Sequence, residues 1–294
     1  MIIIAPDKFK GTMSATQAAE SIARGLRQAH VHEELTICPM ADGGDGTADV
    51  LSGLLPDGVK VVESHRYIGP EAFGNSNPMK RSSYAFGAAI ARELAIGNRV
   101  LAAIGGTACC DGGAGLLQAL GLRLFDSRGV EIKEHINPSV LTSIASVDDS
   151  ELKRGADVIA LSDVRASLLP SPGIALSALD FARQKGFSQT ELPILANALA
   201  HWQKVMSVAP SMIDGAGGGI GYALAAVMGA DVCSGASYIL DLYAPDFRAA
   251  SLVITGEGCI DAQTGGGKVV DAVVRKAVAA GTPVLAIGGR VQGT

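Results

Sequence analysis

The chain has 294 residues, of which 48% are apolar, 18% charged and 4% aromatic, with 37 glycines; that mixture suits an α/β protein, whose buried strands use Val, Ile and Ala and whose tight loops use Gly. Lys and Arg number 24 against 29 Asp and Glu, a net charge of −5, which argues against nucleic acid or an anionic membrane surface as partner. No run of eighteen apolar residues escapes a glycine or a charge, which excludes a helical membrane span. The opening "MIIIAPDKFKG" lacks the basic start and long apolar run of a signal peptide, so a cytoplasmic protein is expected.

In chain order, Met1–Ile4 reads as a buried strand, and Ser14 with Gln17 forms a capping box opening a helix along Ala18, Ile22, Leu26 and Ala29. Residues 35–38 and 59–63 read as further strands. Residues 99–104 form an apolar strand running into "GGTACCDGGAG", and 157–161 another that ends at Ser162, Asp163 and Val164. Residues 174–185 and 191–206 carry helical spacing, and 219–228 is a small-residue helix after a glycine run. A strand at 252–255 precedes "GEGCIDAQTGGGK", followed by a helix over 268–280 and a last strand at 284–287. Strand, Gly/Asp loop and helix recur, which predicts βαβ units and a largely parallel sheet.

The polar stretch 63–83 marks the expected lobe boundary. Both chain ends carry strand-loop-helix signals, so residues 1–64 and 251–294 are expected to form a Rossmann-like parallel-sheet lobe. Residues 65–250 are expected as an inserted α/β lobe. The five cysteines, at 38, 109, 110, 233 and 259, show no CxxC spacing and read as packing residues in a reducing compartment.

Four Gly/acid loops stand out: "ADGGDGT" at 41–47, "GGTACCDGGAG" at 105–115, "DGAGGGIG" at 214–221 and "GEGCIDAQTGGGK" at 256–268. Such loops at the carboxyl ends of parallel strands are where ligands collect, and glycine turns feeding a helix make anion sites. Acids beside them fit a hard cation, since Mg2+ is typically held by one or two carboxylates plus phosphate oxygens. A magnesium-bound nucleotide would want both features; the plainer alternative for any one loop is a tight turn with an Asp cap. Standard fingerprints are absent. Gly267 and Lys268 lack the Walker A glycine, which is replaced by Ala262, and the following Ser/Thr, which is Val269; the third glycine of G-x-G-x-x-G falls on Ile220. The five histidines join no constellation, and no G-x-S-x-G elbow occurs. Lys8 and Lys10, behind the first strand, are either phosphate contacts or solvated surface lysines. Asp163 is a metal ligand, a base or a cap.

These loops, in this order, resemble the bacterial-type glycerate kinase family, the one without a P-loop. "IIIAPDKFKGTMSATQAAESIARGL" is similar to the family's opening, "PMADGGDGT" to its second signature, and "IGGTACCDGGAGLLQALG" to its I-G-G-S-A-T-N-D-G-G-A-G-x-x-Q-A-L-G; "GAGGGIGYALAAVMGA" and "SLVITGEGCIDAQTGGGK" match two more. The agreement spans roughly residues 1–55 and 78–290. The resemblance implies phosphoryl transfer from ATP with Mg2+ to a hydroxyl of D-glycerate, giving 2- or 3-phosphoglycerate, in a cleft between two α/β lobes. It carries Lys8, Asp42, Asp45 and Asp163 over as catalytic residues, the three aspartates also as metal ligands, with the identity of the base open. It carries Lys10, Gly43, Gly44, Asp111, Gly112, Gly113, Gly217, Gly218, Glu257, Asp261 and Lys268 over as substrate- or nucleotide-binding residues. Expected partners are D-glycerate and the nucleotide, without nucleic acid or membrane, and a homodimer is one open assembly state.

Four departures separate the chain from the family pattern. Cys109 and Cys110 stand for Thr-Asn, Cys259 for an Arg, and Arg165 to Ser167 for Asp-Asn-Pro. The segment between Val62 and Asn77 is short, and the helical segment expected after Gly289 is missing, which marks either a short form or an incomplete chain. They motivate the alternative of a substrate-shifted or non-catalytic descendant that binds a nucleotide or small hydroxy acid.

Overall fold

A computed structural model describes residues 1–154, 157–209, 211, 213–261, 264 and 268–292. In chain order the elements are β1 (Ile2–Pro6), α1 (Ala15–Gln28), β2 (Leu35–Ile37), α2 (Thr47–Leu51), β3 (Val59–Glu63), α3 (Ser64–Ile68), α4 (Pro70–Phe73), α5 (Tyr84–Ala95), β4 (Arg99–Ala103), α6 (Ala114–Ala119), β5 (Arg123–Phe125), β6 (Ser146–Asp148), β7 (Val158–Leu161), α7 (Glu191–Met206), β8 (Asp231–Cys233), α8 (Gly235–Tyr243), β9 (Leu252–Ile260), α9 (Val269–Ala280) and β10 (Val284–Val291). The fold is α/β, built on parallel sheets.

The chain divides into a terminal unit, Met1–Leu55 with Cys233–Thr294, and a middle unit, Pro56–Val232. The terminal unit holds a parallel sheet in the order β10-β9-β1-β2. Its strand β1 is completely buried, as its unbroken Ile-Ile-Ile-Ala run requires. Ile2, Ile4 and Ile254 pack with Ala19 and Ala23 of α1. The capping box of α1 forms as expected: the Ser14 hydroxyl accepts from the Gln17 N–H while Gln17 accepts from the Ser14 N–H, an arrangement worth about 1 kcal/mol.

The middle unit holds the sheet β3-β4-β7-β8, parallel across β3, β4 and β7, and an antiparallel ribbon of β5 and β6. Its core gathers Phe86 and Ile90 of α5, Leu116 of α6 and Leu195, Leu199 and Trp202 of α7.

Several expectations need correction. The boundaries fall at 55/56 and 232/233, because β3 pairs with β4 and so belongs to the middle sheet; residues 56–64 leave the terminal unit and 233–250 join it. The stretch 63–83, expected as the lobe boundary, lies within the middle unit and folds as α3, α4 and a 3₁₀ turn at Pro78–Lys80. Residues 174–185 form no α-helix: the N–H of Ser167 donates to Leu176 O and that of Ala178 to Ser167 O, so residues 176–178 bond across to 167. Beyond them the N–H groups of Asp180, Ala182 and Lys185 bond three residues back, to Ser177, Leu179 and Ala182, in turns that end as a 3₁₀ turn at Arg183–Lys185. "GEGCI" is strand, not loop, because β10 continues beside it with Gly288 opposite Glu257 and Arg290 opposite Cys259. Residues 262, 263 and 265–267 of that motif lie outside the described residues.

Candidate active site

In the terminal unit the chain runs from β1 out to β2 on one side, whereas β9 and β10 lie on the other. The carboxyl ends of β1 and β9 are therefore a topological switch point, where an open α/β sheet leaves a crevice. Asp7 emerges there, its N–H donating to Gly256 O at 2.8 Å. Its carboxylate is nearly buried and accepts the N–H of Lys8 at 2.7 Å. Burial pushes the Asp7 carboxyl up to about 6, and the charges of Asp42 and Glu257 push the same way, against Lys8.

Lys8 stands between two carboxylates, with Nζ 3.9 Å from Asp7 Oδ1 and 3.8 Å from Asp42 Oδ1. Asp42 also accepts the Gly44 N–H at 3.1 Å. Asp7, Lys8, Lys10, Asp45, Gly46 and Asp49 line a cavity of about 330 Å3, the size range of small-ligand sites. Lys8, Lys10, Asp42, Asp45 and Glu257 thus come together at one sheet edge. Asp7 joins them, and the motif reading passed over it: it stands in "APDKFKG", but only the strand pairing shows that β1 ends there.

Glu257 accepts from the Thr264 hydroxyl at 2.7 Å, and the Asp261 N–H donates to the same hydroxyl at 3.0 Å. Cys259 Sγ lies 3.9 Å from Asp261 Oδ2. Lys268 caps the start of α9 through its backbone. Gly43 and Gly44 are buried; a side chain at Gly235, the first residue of α8, would collide with the Gly43 backbone, so this glycine pairing serves a close approach of protein to protein.

The middle unit treats its two glycine motifs similarly. Gly112 and Gly113 have φ of 66° and 71°, and a Cβ on them would reach 2.5 Å from Trp202 Cδ1 and from Ala223 Cβ, respectively. The Gly112 N–H donates to Gly218 O, so the motifs at 105–115 and 214–221 lock onto each other. Asp111 is fully buried and accepts from the Ser83 N–H, the Ser83 hydroxyl, the Gly113 N–H and the Gly115 N–H at 2.7–3.3 Å. Burial raises its carboxyl and those four donors oppose the rise. Its oxygens are committed to holding the loop. Cys109 and Cys110 are wholly buried free thiols held protonated by burial, which fits the packing reading. Asp163 follows β7, half-buried. Gly217 lines a second cavity of about 170 Å3 at the carboxyl ends of β4 and β7, with Thr107, Lys185 and Gly218.

No group of three or more His, Cys, Asp or Glu takes a metal-holding arrangement among the described residues. Those residues thus form no all-protein metal cage; the carboxylates of Asp42 and Asp45 are the donor type that a magnesium ion held chiefly by phosphate oxygens would use. Among the described residues no helix is long and apolar enough to cross a membrane.

The glycerate kinase family model matches residues 2–59 and 52–294. A glycerate kinase of Bacillus subtilis is 33% identical over 99% of this chain and 85% of its own length, and a glycerate 2-kinase of Escherichia coli is 31% identical over 98% and 84%. A solved chain from Salmonella typhimurium LT2, described as glycerate kinase 2, superposes with a TM-score of 0.80 at 30% identity, covering 99% of this chain and 89% of that one. On a match that runs from one end to the other, and with acids, lysines and a cavity gathered at a sheet switch point, the chain belongs to the glycerate kinase family and is a phosphotransferase.

Proposed function

We propose that the protein phosphorylates D-glycerate at the expense of ATP, yielding 2- or 3-phosphoglycerate. The observation that carries this reading is the Asp7–Lys8–Asp42 cluster beside the 330 Å3 cavity, in a chain of this family. A glycerate hydroxyl oxygen bonds to the γ-phosphorus as the bond to the β,γ-bridging oxygen breaks, ADP leaves, and the hydroxyl proton passes to a carboxylate. Such transfer depends on positioning and charge neutralisation more than on covalent help. Lys8 supplies a point charge for a phosphate or for the glycerate carboxylate. Asp7, with a carboxyl near pH 6, is ionised at neutral pH yet basic enough to accept a proton, the balance general bases require. Asp42 and Asp45 would hold Mg2+, which when bound neutralises phosphate charge.

A phosphorus NMR time course with Mg-ATP and D-glycerate tests the reading. A new phosphomonoester signal supports it, as a doublet for the 2-phosphate or a triplet for the 3-phosphate; none from folded protein removes it. Cys259, in place of the family's arginine, favours a second reading, a kinase of another short hydroxy acid, which a substrate panel separates from the first.

A further inference from the structure

The kinase reading leaves one buried charge of the middle unit without a task. Lys185 is 8% exposed. Its ammonium donates to Thr107 Oγ1 at 2.7 Å and to Cys109 O at 2.8 Å, both neutral acceptors. An ammonium has three donors, and the third meets no protein acceptor among the described residues. No carboxylate lies within 4.0 Å of it among those residues. Burying an unpaired charge costs several kcal/mol.

Nearby groups leave that charge uncompensated. Arg81, equally buried, spends its donors on the carbonyls of Ser76, Ala108 and Lys185. The Asp111 carboxylate is engaged by four other donors. Lys185 lines the 170 Å3 cavity at the ends of β4 and β7, whose walls include Gly105, Gly106, Gly217 and Gly218. That volume falls below the roughly 300–1,000 Å3 of sites for whole small molecules. It suits a single charged group.

We propose that Lys185, with Thr107, forms an oxyanion subsite that takes a phosphoryl group or a carboxylate. Which of the two it is rests on the kinase reading, with the nucleotide phosphates and the glycerate carboxylate as the sources.

Calorimetric titration of the full chain with orthophosphate and, separately, with D-glycerate tests this. Lys185→Met is expected to weaken at least one of them by about 10- to 100-fold, as loss of a charged hydrogen bond implies; phosphate alone identifies a phosphoryl subsite, and glycerate alone a carboxylate subsite. Equal binding of both by wild type and variant, or no binding by wild type, overturns the proposal. Should Lys185→Met not fold, wild-type protein carrying 13Cε-lysine is titrated instead, with the Lys185 signal assigned by its loss in Lys185→Arg. A shift on adding either anion supports the subsite, and an unmoved signal at saturation overturns it. Anion binding that depends on Lys185 without turnover would keep the subsite and remove the kinase reading; turnover with anion binding indifferent to Lys185 would do the reverse.

Discussion

A Cβ placed on Gly218 would stand 2.7 Å from Nζ of Lys185 and would overlap the carbonyl oxygen of Cys109. The glycine thus vacates the space that the buried ammonium fills. Its φ of 74° adds a backbone conformation that other residues rarely adopt. Gly218→Ala is expected to destabilise the protein by about 2–5 kcal/mol, strain and overpacking together. Gly186→Ala, at φ 94° with nothing near its absent Cβ, should lose only about 1–2 kcal/mol. Urea unfolding of both variants checks the contrast, and equal losses would contradict the packing argument.

Asp111 predicts a stability effect that no ligand should reverse. Asp111→Ala leaves the N–H groups of Ser83, Gly113 and Gly115 and the Ser83 hydroxyl without their acceptor inside the core. A loss on the order of 4 kcal/mol is expected, seen in urea unfolding with and without ATP and D-glycerate.

Asp7 makes stability depend on pH in a defined direction. Its folded carboxyl sits at about 6 against 3.8 unfolded, so ionisation is harder in the folded state. Below 3.8 both states are protonated and no penalty exists. The penalty grows between 3.8 and 6 and is complete above 6, where it reaches about 3 kcal/mol. Asp7→Asn keeps an acceptor for the Lys8 N–H, so it should match wild type at low pH and become more stable as pH rises through this window. A gain independent of pH would contradict the burial argument. If Asp7 is the base, wild-type kcat/KM should also fall as pH drops through about 6, and the variant should be nearly inactive throughout.

Asp42→Asn preserves an oxygen for the Gly44 N–H but removes the charge facing Lys8. Turnover is expected to fall by about 10²- to 10⁴-fold, with thermal stability within about 0.5 kcal/mol of wild type. Near wild-type rates would remove Asp42 from the machinery.

Thiol chemistry should follow burial. Cys38, Cys109 and Cys110 are buried and their thiols are pushed up, Cys38 and Cys110 to about 11, whereas Cys233 and Cys259 are half-buried. A disulfide reagent at mildly alkaline pH should modify two thiols in native protein and all five after unfolding, because only the thiolate reacts.

Much of this protein is local enough to be read along the chain. The apolar run of β1, the capping box of α1 and the helical spacing of α7 each depend on residues a few positions apart, and each forms where the sequence predicts. Two motifs far apart in the chain also meet, since Lys8 and Lys10 of "APDKFKG" and Asp42 and Asp45 of "ADGGDGT" lie together at one sheet edge. Pairing across the fold decided the rest. Residues 174–185 have helical spacing, yet Leu176 and Ala178 bond to Ser167 and the residues after them close short i→i−3 turns instead of an α-helix. Val59–Glu63 has strand character in any setting, and only its register on β4 assigns it to the middle unit. The glycines at 112, 113 and 218 invite a ligand when read as a string; in three dimensions they let one motif pack on another and leave room for Lys185. Asp7 and Lys185 were legible as residue types but not as site residues, because their burial and their neighbours are set by segments tens to hundreds of positions away.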